Sequence, residues 1–373
     1  MIKYVKYEIK KRFSMDTEII TEAEIEKCPA LIEHAGKVIR DGGLVAFPTE
    51  TVYGLGGDAL NKESSKKIYA AKGRPSDNPL IVHIARLEDI YRLVSNFPKE
   101  AQLLAKHFWP GPLTMILNKS EMVPFETTGG LSTVAVRFPV HPLAQRLILE
   151  SGCYIAAPSA NLSGKPSPTA AKYVIEDMDG RIDLIIDGGD VPIGLESTIV
   201  DVTGDTPCIL RPGYITQEML NEVLGTVEID RTILSGDSKE RPKAPGMKYR
   251  HYAPKGDLTI ITGCSNEVIE AINHSVRKLE EKGVITGIIA TEKTANQYQG
   301  MNVKNAGSRE DEATIAHNLF TILREFDDEG TQVIYSESFD TQGIGQAIMN
   351  RLLKAAGHQV IEAGQLIKQE DRT

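Results

Sequence analysis

Asn61-Lys-Glu-Ser-Ser-Lys-Lys-Ile-Tyr-Ala-Ala-Lys-Gly-Arg-Pro-Ser-Asp-Asn-Pro-Leu-Ile-Val-His-Ile84 contains a helix, a stop and a strand in succession. Asn61 is a natural N-cap, Glu63 and Lys67 stand four apart behind it, and Gly73 suits the stop. Pro75, Ser76 and Asn78 keep the next residues out of a helix, and the apolar run 80–84 then reads as a strand. A helix that hands over to an apolar strand through a short cationic loop is the unit of a sheet covered by helices.

Outward from this unit the alternation continues. Strands are predicted at 44–48, 80–84, 113–117, 133–138, 154–157, 184–187, 198–202 and 209–211. Helices are predicted at 29–41, 61–72, 99–108, 141–150, 169–176 and 216–224. Pro29 suits a first helical position and Gly42 the stop that follows. Several strands are joined by loops too short for a helical crossover, so some antiparallel pairing is expected. From 227 to 254 the pattern lapses into proline, glycine and charge, which marks a linker. Between Arg231 and Gly256 there are seven Lys or Arg against two acids, net +5. Two tyrosines, a histidine and four cations between Arg241 and Pro254 make it a candidate strap over something anionic. After Pro254 a second alternation begins, with strands at 258–263, 284–290, 303–307 and 332–336 and helices at 266–282, 310–328 and 346–356. This reads as a small doubly wound domain. The expected division is 1–16 as an N-terminal extension, 17–226 as the larger α/β domain, 227–254 as linker and 255–373 as the second domain.

A length of 373 residues agrees with two domains. Net charge is −9, from 42 basic and 51 acidic residues, which argues against a general nucleic-acid coat or an anionic-membrane binder. Cys28, Cys153, Cys208 and Cys264 form no CxxC pair and read as free buried thiols, with no zinc site. The charged N-terminus is no secretory signal and no run reaches the length of a membrane span, so a cytoplasmic location is expected.

Lys72 and Arg74 alone are compatible with a basic helix end, but the hydroxyls and amide around them also suit an anion. Arginine grips phosphate oxygens bidentately and lysine adds a point charge. Pro48-Thr-Glu-Thr-Val-Tyr-Gly-Leu55 brings hydroxyls to a strand end, with Gly54, Gly56 and Gly57 allowing either a turn or a close backbone approach. Ser159-Ala-Asn161, followed by Ser163, Gly164, Ser167 and Thr169, is a donor-rich loop that reads as a Ser/Pro turn or as a phosphate site. His83, Arg137, Ser197 and Arg211 lie in or beside strands, where each alone is compatible with a structural role. Gly343-Ile-Gly345 is a weak nucleotide signal, and tight packing explains it better.

Taken together these motifs resemble the threonylcarbamoyl-AMP synthase family in its long form. The resemblance runs through Pro48–Leu55, Lys72-Gly-Arg74, Pro79-Leu-Ile-Val-His-Ile84, Trp109-Pro-Gly-Pro-Leu-Thr114 and Ser159-Ala-Asn161. It continues in Glu196-Ser-Thr-Ile-Val-Asp201, Leu210-Arg-Pro-Gly213, Ala244-Pro-Gly-Met-Lys-Tyr-Arg-His-Tyr-Ala-Pro254 and Gly343-Ile-Gly-Gln-Ala-Ile-Met-Asn-Arg-Leu352. It spans the chain from about residue 17 onward. The family implies a twisted mixed-sheet, YrdC-like catalytic domain with a large concave site, and a Rossmann-like C-terminal accessory domain. It implies a nucleotidyltransferase that converts L-threonine, bicarbonate or CO2, and ATP into threonylcarbamoyl-AMP and pyrophosphate, with Mg2+ bound through the ATP phosphates. The product serves threonylcarbamoyladenosine formation beside the tRNA anticodon, through downstream transfer proteins; the basic linker allows a weak contact with tRNA itself. By resemblance Lys72, Arg74, Ser159 and Asn161 are catalytic and contact ATP, joined by Asn78, Thr133, Ser167, Arg211 and the linker's Tyr249. Thr51, His83, Arg137, Ala157 and Ser197 would frame L-threonine. Rival readings are an RNA-binding module, a nucleotide sensor and a related carbamoyl-adenylate enzyme. The last is disfavoured by the missing zinc-finger cysteines.

Overall fold

The computed structural model describes residues 16–231, 233, 244 and 251–370, without the side chains of 368–370. The first part contributes β1 (Glu18–Thr21), β2 (Val45–Phe47), β3 (Gly54–Asp58), β4 (Ile81–His83), β5 (Leu113–Asn118) and β6 (Thr133–Arg137). It continues with β7 (Ile155–Ala156), β8 (Leu184–Asp187), β9 (Thr198–Asp201), β10 (Cys208–Arg211) and β11 (Glu228–Ile229). Among the described residues these form one mixed sheet in the order β1-β8-β2-β3-β7-β4-β6-β5-β9-β10-β11. Antiparallel pairing is present, as expected, in β2 with β3, β5 with β6 and β9 with β10, which follow one another in the chain, and also in β3 with β7 and β4 with β7.

The helix of the opening motif is Lys62–Lys72, with the Asn61 side chain accepting from the Glu63 N–H and Gly73 closing it at φ 62°. Pro29 proves to be the N-cap of the helix Ala30–Arg40 rather than its first residue. The glycines after Tyr53 belong to a strand, which settles their role as close approach. A Cβ on Gly56 would lie 2.7 Å from the Ile155 side chain and 2.8 Å from the Phe47 ring. The cysteines are free, as expected, but not buried: Cys28 and Cys264 are exposed and the other two partly so.

The second part holds β12 (Asp257–Thr262), β13 (Thr286–Ala290), β14 (Asn302–Asn305), β15 (Val333–Glu337) and β16 (Val360–Glu362). Their order is β14-β13-β15-β12-β16, with parallel pairing throughout. In the Gly343–Ala355 helix, a Cβ on Gly345 would lie 2.6 Å from the Glu312 carboxylate. The Gly345 N–H also donates to that carboxylate at 2.8 Å, so an acid of the chain already occupies this helix start. Packing is therefore the role of the Gly343-Ile-Gly345 motif.

The two parts share a polar and apolar seam. Val52, Leu195 and Tyr252 sit in the same apolar cluster as Ile315, Phe320 and Ile348. Arg324 donates to the Pro166 carbonyl at 2.6 Å and pairs with Asp177 at 2.8 Å, and Thr169 meets Thr321 at 2.9 Å.

Candidate active site

Strand alternation builds the floor of a cleft. Ile81, Ile116, Ala135, Ile199 and Leu210, from five neighbouring strands, form one apolar patch, and Ala244 from the linker packs on it. Residues of the same parity on β4, β5 and β6 continue this face: His83 pairs in register with Arg137, and Arg137 with Thr114. The cleft encloses about 530 Å³ including its open mouth. Its wall includes Thr49, Arg74, His83, Arg137, Ala157, Ser159, Glu196, Ser197, Arg211, His251 and Tyr252.

One end is the Lys72–Arg74 corner. Lys72 is buried, and its ammonium donates to the carbonyls of Ser159 and Asn161 at 2.5 Å each and to Asn161 Oδ1 at 3.4 Å. Burial, with Arg74 adding to it, holds its pKa well below the usual lysine value. Lys72 thus braces the Ser159–Asn161 loop from behind. The Ser159 hydroxyl donates to Asn161 Oδ1 at 2.5 Å, and Asn161 Nδ2 reaches the Leu162 and Lys165 carbonyls. Arg74 donates to the carbonyls of Asn78 and Pro79. Asn78 is buried with its Oδ1 unpartnered. Thr133, half-buried, pairs with Asn118 at the start of β6.

Arg211 forms another part of the wall. Its guanidinium donates to the Ser197 carbonyl at 2.9 and 3.1 Å and to the Ser197 hydroxyl at 3.1 Å. Burial pushes it down to about 10 despite the neighbouring Glu196. Glu196 accepts from Ser167 Oγ at 2.5 Å and from Arg351 Nε at 3.1 Å. Burial alone would raise its carboxyl, but Arg351, Arg211 and the Ser167 hydroxyl outweigh it and hold the pKa below the ordinary value. Arg351 comes from the second part of the chain, is fully buried, and also donates to the Pro212 carbonyl at 2.6 Å. Burial and then Arg351 and Arg211 depress Lys354 nearby to about 7.

At the third corner Arg137 Nη2 is bonded to Glu50 Oε1 at 2.6 Å, with both side chains buried. His83, on the adjacent strand, is pushed down to about 3 by burial and then by Arg137, so it is neutral. Thr51 is buried and shares a 2.9 Å hydrogen bond with Thr49, which is the threonine that reaches the cleft wall. From the linker's end, His251 is likewise held near 3 by burial and Arg74. Tyr252 is raised to about 12 by burial and Glu196. Tyr252 takes φ 64°, a strained backbone for an aromatic residue, while its ring packs 5.0 Å from Phe320. Tyr249 lies outside the described residues. Among the described residues no three His, Cys, Asp or Glu side chains converge to hold a metal, and no helix is long and apolar enough to cross a membrane.

Two family models cover nearly all of this architecture. Residues 37–213 match the model described as telomere recombination (Sua5, YciO, YrdC). Residues 215–357 match the model of the threonylcarbamoyl-AMP synthase C-terminal domain. The chain belongs to the threonylcarbamoyl-AMP synthase family. It is similar to the threonylcarbamoyl-AMP synthase of Pyrococcus abyssi, 49% identical over 89% of this chain and 95% of that one. The Bacillus subtilis synthase is also 49% identical, over 88% and 94%. Among solved structures it resembles P. abyssi Sua5 complexed with L-threonine, with TM-score 0.86, 46% identity and coverage of 93% and 99%.

Of the residues that family resemblance selected, Arg74, His83, Arg137, Ala157, Ser159, Ser197 and Arg211 line the cleft. Lys72, Thr51, Asn161 and Ser167 are joined to those walls by hydrogen bonds but do not line it. Glu50, Glu196 and Arg351 were not selected. The signal for Arg351 is its position in a helical stripe of Ala347, Ile348, Leu352 and Ala355, where a charge implies a buried partner.

Proposed function

We infer that the chain is a threonylcarbamoyl-AMP synthase, a nucleotidyltransferase that joins L-threonine, bicarbonate or CO2, and ATP. The reading is supported most by the cleft's polarity. Lys72, Arg74, Arg211, Arg351 and Lys354 gather around Glu196, with Asp177 a further carboxylate near Lys72, whereas Arg137 is paired one to one with Glu50. A polyanion suits the first region and an amino-acid zwitterion the second.

In the reaction the amine of threonine bonds to the carbon of CO2 and loses a proton, leaving a carbamate. A carbamate oxygen then bonds to the α-phosphorus of ATP while the bond to the bridging oxygen breaks, and pyrophosphate leaves with that electron pair. With bicarbonate as the source, water is released as well. Such chemistry asks for positioning and charge neutralisation more than for a nucleophilic side chain. Arg74 and Arg211 meet the triphosphate, Lys72 stiffens the Ser159–Asn161 loop and adds its field, and Asn78, Thr133 and Ser167 complete the nucleotide contacts. Arg137 takes the threonine carboxylate, with neutral His83, Thr51, Ala157 and Ser197 shaping the rest. The donor set of guanidinium, amide and hydroxyl groups fits a polyphosphate that brings its own Mg2+, which would neutralise charge on the departing pyrophosphate.

Carbamate and mixed anhydride are both labile in water. Ala244 on the floor and His251 and Tyr252 in the wall serve as part of their cover. The adenylate then passes, in the cytoplasm, to proteins that attach the group to tRNA. Pyrophosphate release from ATP and bicarbonate, with and without L-threonine, tests the assignment. Release that ignores threonine overturns it.

A further inference from the structure

We propose that Glu50 is a positioning and specificity-determining residue: it sets the Arg137 guanidinium and keeps the amino-acid end of the cleft free of net charge. The proposal rests on the reading that Arg137 takes the carboxylate of threonine. The geometry is a buried ion pair with one side left over. Glu50 Oε1 accepts from Arg137 Nη2 at 2.6 Å, and Oε2 accepts from the Val140 N–H at 3.2 Å, which fixes the carboxylate in turn. The Glu50 carbonyl takes the Ile193 N–H at 3.0 Å, so its backbone is tied down as well. Arg137 Nε is buried without a hydrogen-bond partner, in a residue that lines the cleft.

A buried ion pair is often no more stable than an apolar pair of the same volume, so stability alone is a poor reason for one here. A guanidinium with a donor unused at a cleft wall is a reason, because a ligand carboxylate completes it. The adjoining His83 is neutral, so Glu50 and Arg137 together leave this corner with no net charge. A zwitterion enters at little electrostatic expense, whereas a phosphate is drawn to the cationic corner instead. Without the Glu50 charge, Arg137 would accept any small anion.

Steady-state kinetics of Glu50→Gln, Glu50→Asp and Arg137→Gln, with KM measured separately for L-threonine and ATP, test this. Glu50→Gln is expected to raise the threonine KM roughly tenfold or more, with the ATP KM unchanged within about twofold. It is also expected to make inorganic phosphate competitive with threonine, which a purely structural defect would not do. Glu50→Asp keeps the charge but retracts it by one methylene. It should raise the threonine KM without phosphate competition, and it remains informative if Glu50→Gln does not fold. A wild-type threonine KM in either Glu50 variant, or no phosphate competition in Glu50→Gln, overturns the proposal. If Arg137→Gln leaves the threonine KM unchanged, the underlying assignment of this corner fails instead.

Discussion

Replacing Arg351 by methionine should remove one of the polar contacts that tie the second part of the chain to the Glu196 side of the cleft. Methionine keeps most of the apolar stem, so the loss falls on polar contacts: Glu196 at 3.1 Å and the Pro212 carbonyl at 2.6 Å. Removing one partner of a buried ion pair costs about 3–5 kcal/mol, and Glu196 would keep only Arg211 and the Ser167 hydroxyl to offset its burial. At about 2–4 °C per kcal/mol for a cooperative unit of 150–250 residues, melting should fall by roughly 6–20 °C at pH 7. The pH dependence gives the sharper check. In the wild type Glu196 has a lowered pKa, so its contribution is full above the ordinary carboxyl value and is lost as pH falls through the lower folded value. In the variant burial is no longer offset by Arg351, the folded pKa rises, and the penalty is relieved as Glu196 takes up a proton. The gap between the two proteins should therefore be widest near neutrality and narrow toward about pH 4. Thermal melts at several pH values, paired with pyrophosphate-release assays, read both effects. A variant that melts within about 2 °C of wild type at pH 7, or a gap that does not change with pH, refutes the reasoning.

Three further outcomes are expected. Lys72→Met leaves the Ser159 and Asn161 carbonyls without their donor, so activity should drop at least about a hundredfold and stability by about 1–3 kcal/mol; activity within tenfold of wild type would contradict the brace. His83 and His251, both held near 3, take up protons on unfolding, so stability should fall as pH drops from about 6.5 towards 4.5, by about 1.4 kcal/mol per unit for each. Urea midpoints of His83→Gln should show a shallower slope in that window. Gly56→Val would press on Ile155 and Phe47 in the sheet interior, and a soluble variant with an unchanged melting temperature would be unexpected.

The central strands were readable because apolar runs mark strands covered on both faces. Those missed lack that mark: Glu18–Thr21 and Glu228–Ile229 are short strands at the two ends of the sheet, Val360–Glu362 is an edge, and Gly54–Asp58 is built around glycines chosen for absent side chains. At the site the cations were legible because anion recognition has a residue vocabulary. Their direction was not. Lys72 and Arg74 are two residues apart, yet one faces a loop's carbonyls and the other the cleft, a difference set by what packs around them. Acids escaped notice because a carboxylate looks out of place in an anion site until its arginine is known, and Glu196 finds its partner 155 residues away. The seam also changes what a truncation can test. Ending the chain near Gly225 removes Arg351 and Arg324 with the linker, so lost activity could not be credited to a missing cover. Substitutions inside the linker are the cleaner probe.

The Glu196–Arg351 pair also sets a clock during synthesis. At about 5–20 residues per second, Arg351 is made roughly 8–30 s after Glu196, long after the strands of the first sheet have been translated. Until then Glu196 is offset by the Ser167 hydroxyl and, shortly after its own synthesis, by Arg211, and lacks only its Arg351 partner. The charge balance around Glu196 is thus completed only when the Gly343–Ala355 helix has been made.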